Sequence, residues 1–185
     1  MKYTKSLLLA VVLLSLYTVA FAQSPAEKSD AQKSFTLLKT LGGTWRGPAT
    51  VEPAMHDMEN GTPTQVTLRV TSRGNAIVHE MHDPAVPDDP ARYDHPVTML
   101  YLDSDRLTLI HYCDAGNRPR MVARTSPDGK TVEFDFLDLS GGTEYGHMHH
   151  AVFTIIDANH HIEEWTYMMP GDKPMHARLD LKRVQ

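Results

Sequence analysis

The sequence predicts an all-β protein: a closed, antiparallel up-and-down barrel of about ten strands with a short N-terminal helix. Strand-like segments, of which residues 64–72 are the clearest, alternate apolar and polar side chains with a period of two. Short turn sequences such as Arg73-Gly74-Asn75 separate consecutive strands, as in antiparallel hairpins. A sheet of ten strands in roughly 140 residues is expected to curl and close on itself.

The helix is the first predicted element after a polar stretch at residues 23–29. Asp30 is expected to cap it, and Phe35, Leu38 and Leu41 would share one side before Gly42-Gly43 ends it. Beyond this point the helical period disappears and strands follow. The predicted strands are residues 44–51, 64–72, 75–82, 97–102, 106–113, 120–125, 131–137, 147–156, 161–168 and 175–183.

Three predicted connections are too long to be tight turns. They are residues 52–63, the acidic and proline-rich residues 83–96, and the glycine-rich residues 138–146. Long loops on a closed barrel cluster at one mouth and carry function, although they can also be tolerated insertions.

Residues 1–22 have the pattern of a secretory signal peptide. Lys2 and Lys5 precede an apolar run at residues 7–16, and Ala20 and Ala22 form a small-x-small cleavage site. We therefore expect a periplasmic or secreted protein, with a linker and helix start at 23–34 and a barrel domain at 35–185. The apolar run is too short for a comfortable transmembrane helix, so no stable membrane insertion is expected after cleavage.

Charge and cysteine content exclude some function classes. The net charge is −5 and no basic run follows the signal segment, which argues against nucleic acid as a partner. Cys113 is the only cysteine, so an intramolecular disulfide cannot form.

Histidines on predicted strands are the main functional signal. On strand 106–113 the more apolar face includes His111 and Cys113, and on strand 147–156 the face of Phe153 includes His149. Imidazole titrates near neutral pH and binds metals, so interior histidines suggest a site. The expected barrel lining is Leu109, His111, Phe134, Phe136, His149 and Phe153.

Whether two acidic residues, Glu164 and Glu80, face into the barrel depends on the strand register. If residues 158–159 form a two-residue hairpin loop, Glu164 shares the side of His149; with a three-residue loop, Trp165 takes that side instead. His79 and Glu80 alternate, so one of them faces inward. The candidate ligand contacts are therefore His111, His149, Arg120, Glu164, Glu80 and Asn117.

A divalent metal is one candidate cofactor. Imidazole with carboxylate suits zinc, copper or iron, and the candidate ligands are His111, His149 and Glu164.

The stretch Leu41-Gly-Gly-Thr-Trp45-Arg-Gly47 resembles the calycin superfamily, the lipocalins and their relatives. That resemblance implies that Trp45 closes the barrel floor, with a C-terminal arginine, Arg178 or Arg183, packed on it. Residues 111–121 and 146–149, together with Glu164-Trp165, resemble a family of secreted, lipocalin-like bacterial proteins of unknown function. This similarity covers roughly residues 35–184 and implies a fold but no activity.

The tryptophan motif also resembles that of nitrobindin-like haem barrels. In that case His176 would correspond to the haem ligand. Strand alternation argues against it, because Met175 and Ala177 lie on the apolar face and His176 points outward.

The leading functional hypothesis is an exported protein that binds a small, largely apolar or lipid-like ligand inside the barrel. Histidine and Arg120 would hold a polar or acidic group of that ligand. One alternative is a metal- or histidine-dependent enzyme acting in the same cavity. Another is a periplasmic metal or haem binder.

Overall fold

The structure, a computed structural model, describes residues 27–184 except 55–59 and 126–128. The predicted signal peptide, the first residues of the linker, and parts of the turn at 126–129 and of the 52–63 connection lie outside the described residues. The elements are α1 (Asp30–Lys39), β1 (Gly43–Glu52), β2 (Thr62–Thr71), β3 (Ala76–His82), β4 (Val97–Asp103), β5 (Arg106–Tyr112), β6 (Arg118–Thr125), β7 (Thr131–Ser140), β8 (His147–Asp157), β9 (His160–Met169) and β10 (Lys173–Arg183).

The ten strands form a closed antiparallel barrel, which confirms the predicted fold class. Each strand pairs with its neighbours in sequence, and β1 closes the sheet against β10, with Trp45 opposite Arg183. In this up-and-down arrangement, inward side chains from every strand fill one common core. Among the described residues, no helix has the length and apolar character needed to cross a membrane.

The cap of helix α1 lies one residue earlier than predicted, and the helix begins at Asp30. Ser29, not Asp30, is the N-cap: its side chain accepts from the Gln32 backbone N–H, and the Gln32 side chain accepts from the Ser29 N–H. This reciprocal capping box satisfies two backbone donors, and Asp30 lies in the first turn, where its charge suits the helix dipole. The helix ends at Lys39, shortly before the predicted end, and Phe35 and Leu38 are buried.

One end of the barrel, which we call the floor, is closed by Trp45 and Arg183. The Trp45 indole Nε1 donates to the Leu41 carbonyl over 2.8 Å, and the Arg183 guanidinium lies 4.1 Å from the centre of the Trp45 ring. The expected arginine is therefore Arg183, whereas Arg178 is exposed. The guanidinium and Nε of Arg183 also donate to the backbone carbonyls of Thr40, Gly42 and Ala158.

The opposite end, which we call the mouth, carries the long connections. In a meander, alternate connections fall at the same end, so the β1–β2, β3–β4, β5–β6, β7–β8 and β9–β10 links lie together. These include all three long connections predicted from the sequence, and the start of β1 places α1 at the floor. The prediction that the long loops cluster at one end is confirmed.

Candidate functional site

Strand β9 points a polar row into the barrel. His161, Glu163 and Trp165 are buried, whereas Glu164 between them is exposed. The β8–β9 turn does consist of residues 158–159, but the register shifts between Ile155 and Asp157. This bulge adds one residue to β8, so Trp165, not Glu164, takes the inward side despite the two-residue turn.

Glu163 lies at the centre of the barrel and accepts three hydrogen bonds. His79 Nε2 and Trp165 Nε1 donate to Glu163 Oε2 over 2.9 and 3.0 Å, and His161 Nε2 donates to Oε1 over 3.0 Å. The side chains of Glu163 and His161 have no exposed area, and that of His79 is 1% exposed. We call Glu163 and its three donors the Glu163 cluster.

The carboxyl of Glu163 remains ionised within this cluster. Burial alone raises its pKa, but the attraction of His79 and the hydrogen bonds from His161 and His79 outweigh burial and lower the pKa below the ordinary value. A carboxylate can only accept, so both imidazoles must carry a proton on Nε2. Their buried Nδ1 atoms have no hydrogen-bond partner among the described residues.

His111 is a third buried imidazole, on β5. Its Nδ1 shares a hydrogen bond of 2.8 Å with Oγ1 of Thr98, directly opposite on β4, and its ring centre lies 5.7 Å from that of Trp165. Burial, and secondly repulsion from His79, lower the pKa of His111 to about 3. The ring is therefore neutral near pH 7, and its Nε2 is buried without a hydrogen-bond partner in the described part of the chain.

A cavity of about 410 Å³ begins at His111 and opens toward the mouth. Its buried end is formed by His111, Trp165 and Leu179, and its exposed end by Asp94 and Asp114. Most of the remaining wall is apolar. The other lining residues are Met81, Pro96, Cys113, Met148, Tyr167, Met175 and Ala177.

Cys113 lies on the cavity wall as a protonated thiol. Burial, and then the nearby Asp94 and Asp114, raise its pKa, although a hydrogen bond from the Ala115 backbone opposes them. A thiol with a raised pKa is a weak nucleophile, so this environment does not activate Cys113 for covalent catalysis.

The histidines at the start of β8 do not line the cavity. The register between β8 and β9 shifts between Met148 and His150, so Met148 reaches the cavity. His149 is half-buried and stacks on Phe136, with ring centres 4.8 Å apart, and its Nδ1 is 3.2 Å from His147 Nε2. The structure therefore does not bring His149 to the same site as His111.

The other sequence candidates also lie elsewhere. Arg120 forms a bidentate ion pair with Asp138 on neighbouring β7, and both side chains are more than a third exposed. Asn117 is buried, and its Nδ2 donates to the carbonyls of Gly142 and Gly146 at 2.9 and 2.7 Å, which anchors the β7–β8 loop. Glu164 is exposed and Glu80 is half-buried beside the inward His79. Of the six candidate ligand contacts, His111 is the one that lines the described cavity.

The three candidate metal ligands, His111, His149 and Glu164, lie in three separate places and do not form one site. Among the described residues, the group close enough to share an ion is instead Glu133, Asp135 and His150, partly exposed on β7 and β8. Arg124 already forms ion pairs with both of those carboxylates, and an arginine in that position disfavours a cation.

His176 lies outside the barrel, as strand alternation predicts. It is exposed on β10, and its Nδ1 is 3.1 Å from Oγ1 of Thr166 on β9. A haem bound through this residue would lie on the outer surface.

Comparison with known proteins gives the following results. No family model matches the chain, and no curated protein matches it. Among solved structures, the chain is similar to a protein of unknown function from Nostoc punctiforme PCC 73102, in the DUF3598 family. The TM-score is 0.42 and the identity 11%, over 80% of this chain and 48% of the other, so the chain spans about half the length of that protein.

Proposed function

We propose that the protein binds a small, largely apolar ligand in the mouth cavity, with one hydrogen-bonding group of the ligand on His111 Nε2. The observation that supports this is a buried, neutral imidazole, His111, that lines an otherwise mainly apolar cavity and whose Nε2 has no partner among the described residues. A buried polar atom left unpaired costs about 1–3 kcal/mol, which a ligand group placed there would recover.

The size and lining of the cavity suit such a ligand. Its volume of about 410 Å³ lies within the usual range for small-molecule sites. Met81, Met148 and Met175 contribute flexible, polarisable side chains that adapt to an apolar molecule.

Hydrogen bonds fix the side chains at the buried end of the cavity before any ligand binds. Thr98 fixes the ring of His111, and Glu163 fixes the indole of Trp165. A site whose contacts are already ordered loses less conformational entropy on binding. We further propose, from the signal-peptide pattern of residues 1–22, that this binding takes place outside the cytoplasm.

The test is titration calorimetry with octanol, which offers an apolar chain and one hydroxyl group. The wild-type protein is expected to bind one octanol, with a change in tryptophan fluorescence because Trp165 lines the cavity. His111→Leu should weaken binding by about tenfold, equivalent to about 1.4 kcal/mol for the lost hydrogen bond. His176→Leu, a change at an exposed histidine, is the matched control and should bind as the wild type does.

Two results would overturn the proposal. One is the absence of octanol binding together with no co-purifying small molecule in native mass spectrometry. The other is equal octanol affinity in His111→Leu and the wild type, since His111 would then make no contact with the ligand.

A further inference from the structure

The open end of the cavity is negatively charged. Asp94 and Asp114 are exposed lining residues there, and the Asp114 backbone N–H donates to Asp94 Oδ1 over 3.1 Å. Neither carboxylate forms an ion pair with a described residue, and the cavity lining contains no lysine or arginine. Arg92 is exposed and lines an adjacent pocket that Asp94 and Asp114 share, and its guanidinium stands 5.7 Å from the ring centre of Tyr93.

Two ionisable groups at this end of the cavity have raised pKa values, to which the neighbouring negative charge contributes. Burial, and then Asp114, raise the pKa of Asp94, against a hydrogen bond from the Asp114 backbone and the attraction of His95. Burial, followed by Cys113, Asp114 and Asp94, raises the pKa of Tyr167 on the cavity wall. A bound cation would stabilise the charged carboxylates.

The wall beside the carboxylates is also suited to a cation. Tyr167 presents its aromatic ring to the cavity, and its hydroxyl donates a hydrogen bond to the Tyr145 carbonyl. The negative face of an aromatic ring attracts ammonium groups.

We propose that the ligand is a cationic amphiphile. Its ammonium group lies at Asp94 and Asp114, its apolar part fills the cavity, and a hydrogen-bonding group at its inner end reaches His111 Nε2. This inference rests on the proposed function and specifies the chemical class of the ligand. The distance from His111 to Asp114 permits one molecule to reach both residues. His111 and Cys113 are about 7 Å apart along an extended chain, and Asp114 follows Cys113 directly.

The same geometry excludes the acidic ligand group expected from the sequence. That expectation required Arg120 inside the barrel, whereas Arg120 is paired with Asp138 and does not line the cavity. A carboxylate or phosphate in the cavity would meet Asp94 and Asp114 with no lysine or arginine in the cavity lining, and like charges at short range repel.

The experiment compares three ligands that share an eight-carbon chain and one terminal hydroxyl group. They are octanol, the aminooctanol with an amine at the opposite end, and the hydroxyoctanoate with a carboxylate there. At low ionic strength we expect the wild type to bind aminooctanol at least tenfold more tightly than octanol, and hydroxyoctanoate at least tenfold more weakly.

A charge-matched pair of variants identifies the source of the preference. Asp94→Asn combined with Asp114→Asn should bring the affinities for the three ligands together. Asp103→Asn combined with Asp105→Asn removes the same charge at the β4–β5 turn, on the floor side, and should retain the wild-type preference.

The outcomes separate the two proposals. If none of the three ligands binds, this inference is wrong; if, in addition, no small molecule co-purifies with the protein, the proposed function is wrong as well. If octanol binds but hydroxyoctanoate binds as tightly as aminooctanol, the cation preference is wrong and the proposed function stands. A preference that persists unchanged in the Asp94/Asp114 double variant also overturns the inference.

Discussion

The indole of Trp165 donates to Oε2 of Glu163 over 3.0 Å, so one wall of the cavity is anchored by a fully buried carboxylate. Glu163 is anchored in turn by His79 and His161. The ring of His161 meets that of Trp45 edge to face, with centres 4.2 Å apart. Polar contacts thus connect the buried end of the cavity to the barrel floor.

Replacing Glu163 by glutamine is expected to destabilise the barrel. The amide has one accepting oxygen where the carboxylate has two, so a buried N–H loses its partner and the free energy of unfolding should fall by roughly 2–3 kcal/mol. Urea denaturation measures the change, and tryptophan fluorescence reports the altered Trp165 environment. Glu164→Gln, on the exposed neighbour, should change stability by less than about 0.5 kcal/mol. Equal effects of the two variants would contradict the role assigned to Glu163.

His111 is expected to make the protein sensitive to mild acid. Its pKa is about 3 in the folded protein against 6.5 for an ordinary histidine, so the unfolded chain takes up a proton first as pH falls. The stabilisation is therefore fully present above about pH 6.5 and is lost progressively toward pH 3. Between pH 7 and 5 the loss amounts to about 2 kcal/mol.

Urea denaturation of the wild type and His111→Leu at both pH values isolates this contribution, because the remaining histidines affect both proteins. Glu163 does not interfere, since its folded pKa lies below 4.5 and its stabilisation is lost only under more acidic conditions. An NMR titration provides an independent check: the His111 ring should show no protonation above about pH 5. A midpoint near 6.5 for His111 would refute the assignment.

Arg183 is expected to stabilise the floor through the geometry of its guanidinium as well as its charge. Arg183→Lys retains the charge but removes the planar fork that donates to the floor carbonyls and stacks on Trp45. We expect the free energy of unfolding to fall by about 1–3 kcal/mol, measured by urea denaturation. Arg178→Lys, on the same strand but exposed, is the control and should have little effect. If the two substitutions have the same effect, the stack on Trp45 contributes nothing measurable.

Asn117 is expected to control the order of the β7–β8 loop. Asn117→Asp removes both hydrogen bonds that Nδ2 donates to Gly142 and Gly146 and places a carboxylate beside their carbonyl oxygens. Hydrogen exchange in residues 141–146 should accelerate by at least about tenfold, consistent with the loss of at least 1.4 kcal/mol of local stability. Asn75→Asp, at an exposed turn on the floor side, should leave exchange in this loop unchanged. Unchanged exchange in Asn117→Asp would show that the loop is held by other contacts.

The barrel itself was predictable because the sequence patterns that indicate it are local. A period of two, repeated hairpin signals and the number of strands are all present in the sequence, and these features suffice to predict a closed meander. The long connections could be assigned to one end for the same reason, since a meander alternates its ends. The capping residue was misplaced by one position because Ser29 and Asp30 are both good caps, and the reciprocal bond with Gln32 selects Ser29.

The site was less predictable because it depends on two bulges. A bulge adds one residue and reverses which later side chains face inward, and neither β8 bulge has a signature in the sequence. His111 lies on a regular strand, and its inward position was predicted correctly. Glu163 was not named as a candidate, although it shares a strand face with Trp165, whose side was one of the two inward alternatives that the sequence left open.

Among the described residues, the Glu163 cluster and the closed floor leave the barrel interior open at one end, the mouth. A molecule that enters such an interior must leave through the same opening, so two ligands cannot pass each other. Exchange is then sequential: the incoming molecule waits for the resident one to depart, and its rate of uptake becomes independent of its own concentration once that concentration is high. For the ligand proposed above, the loops around the mouth would therefore determine the residence time.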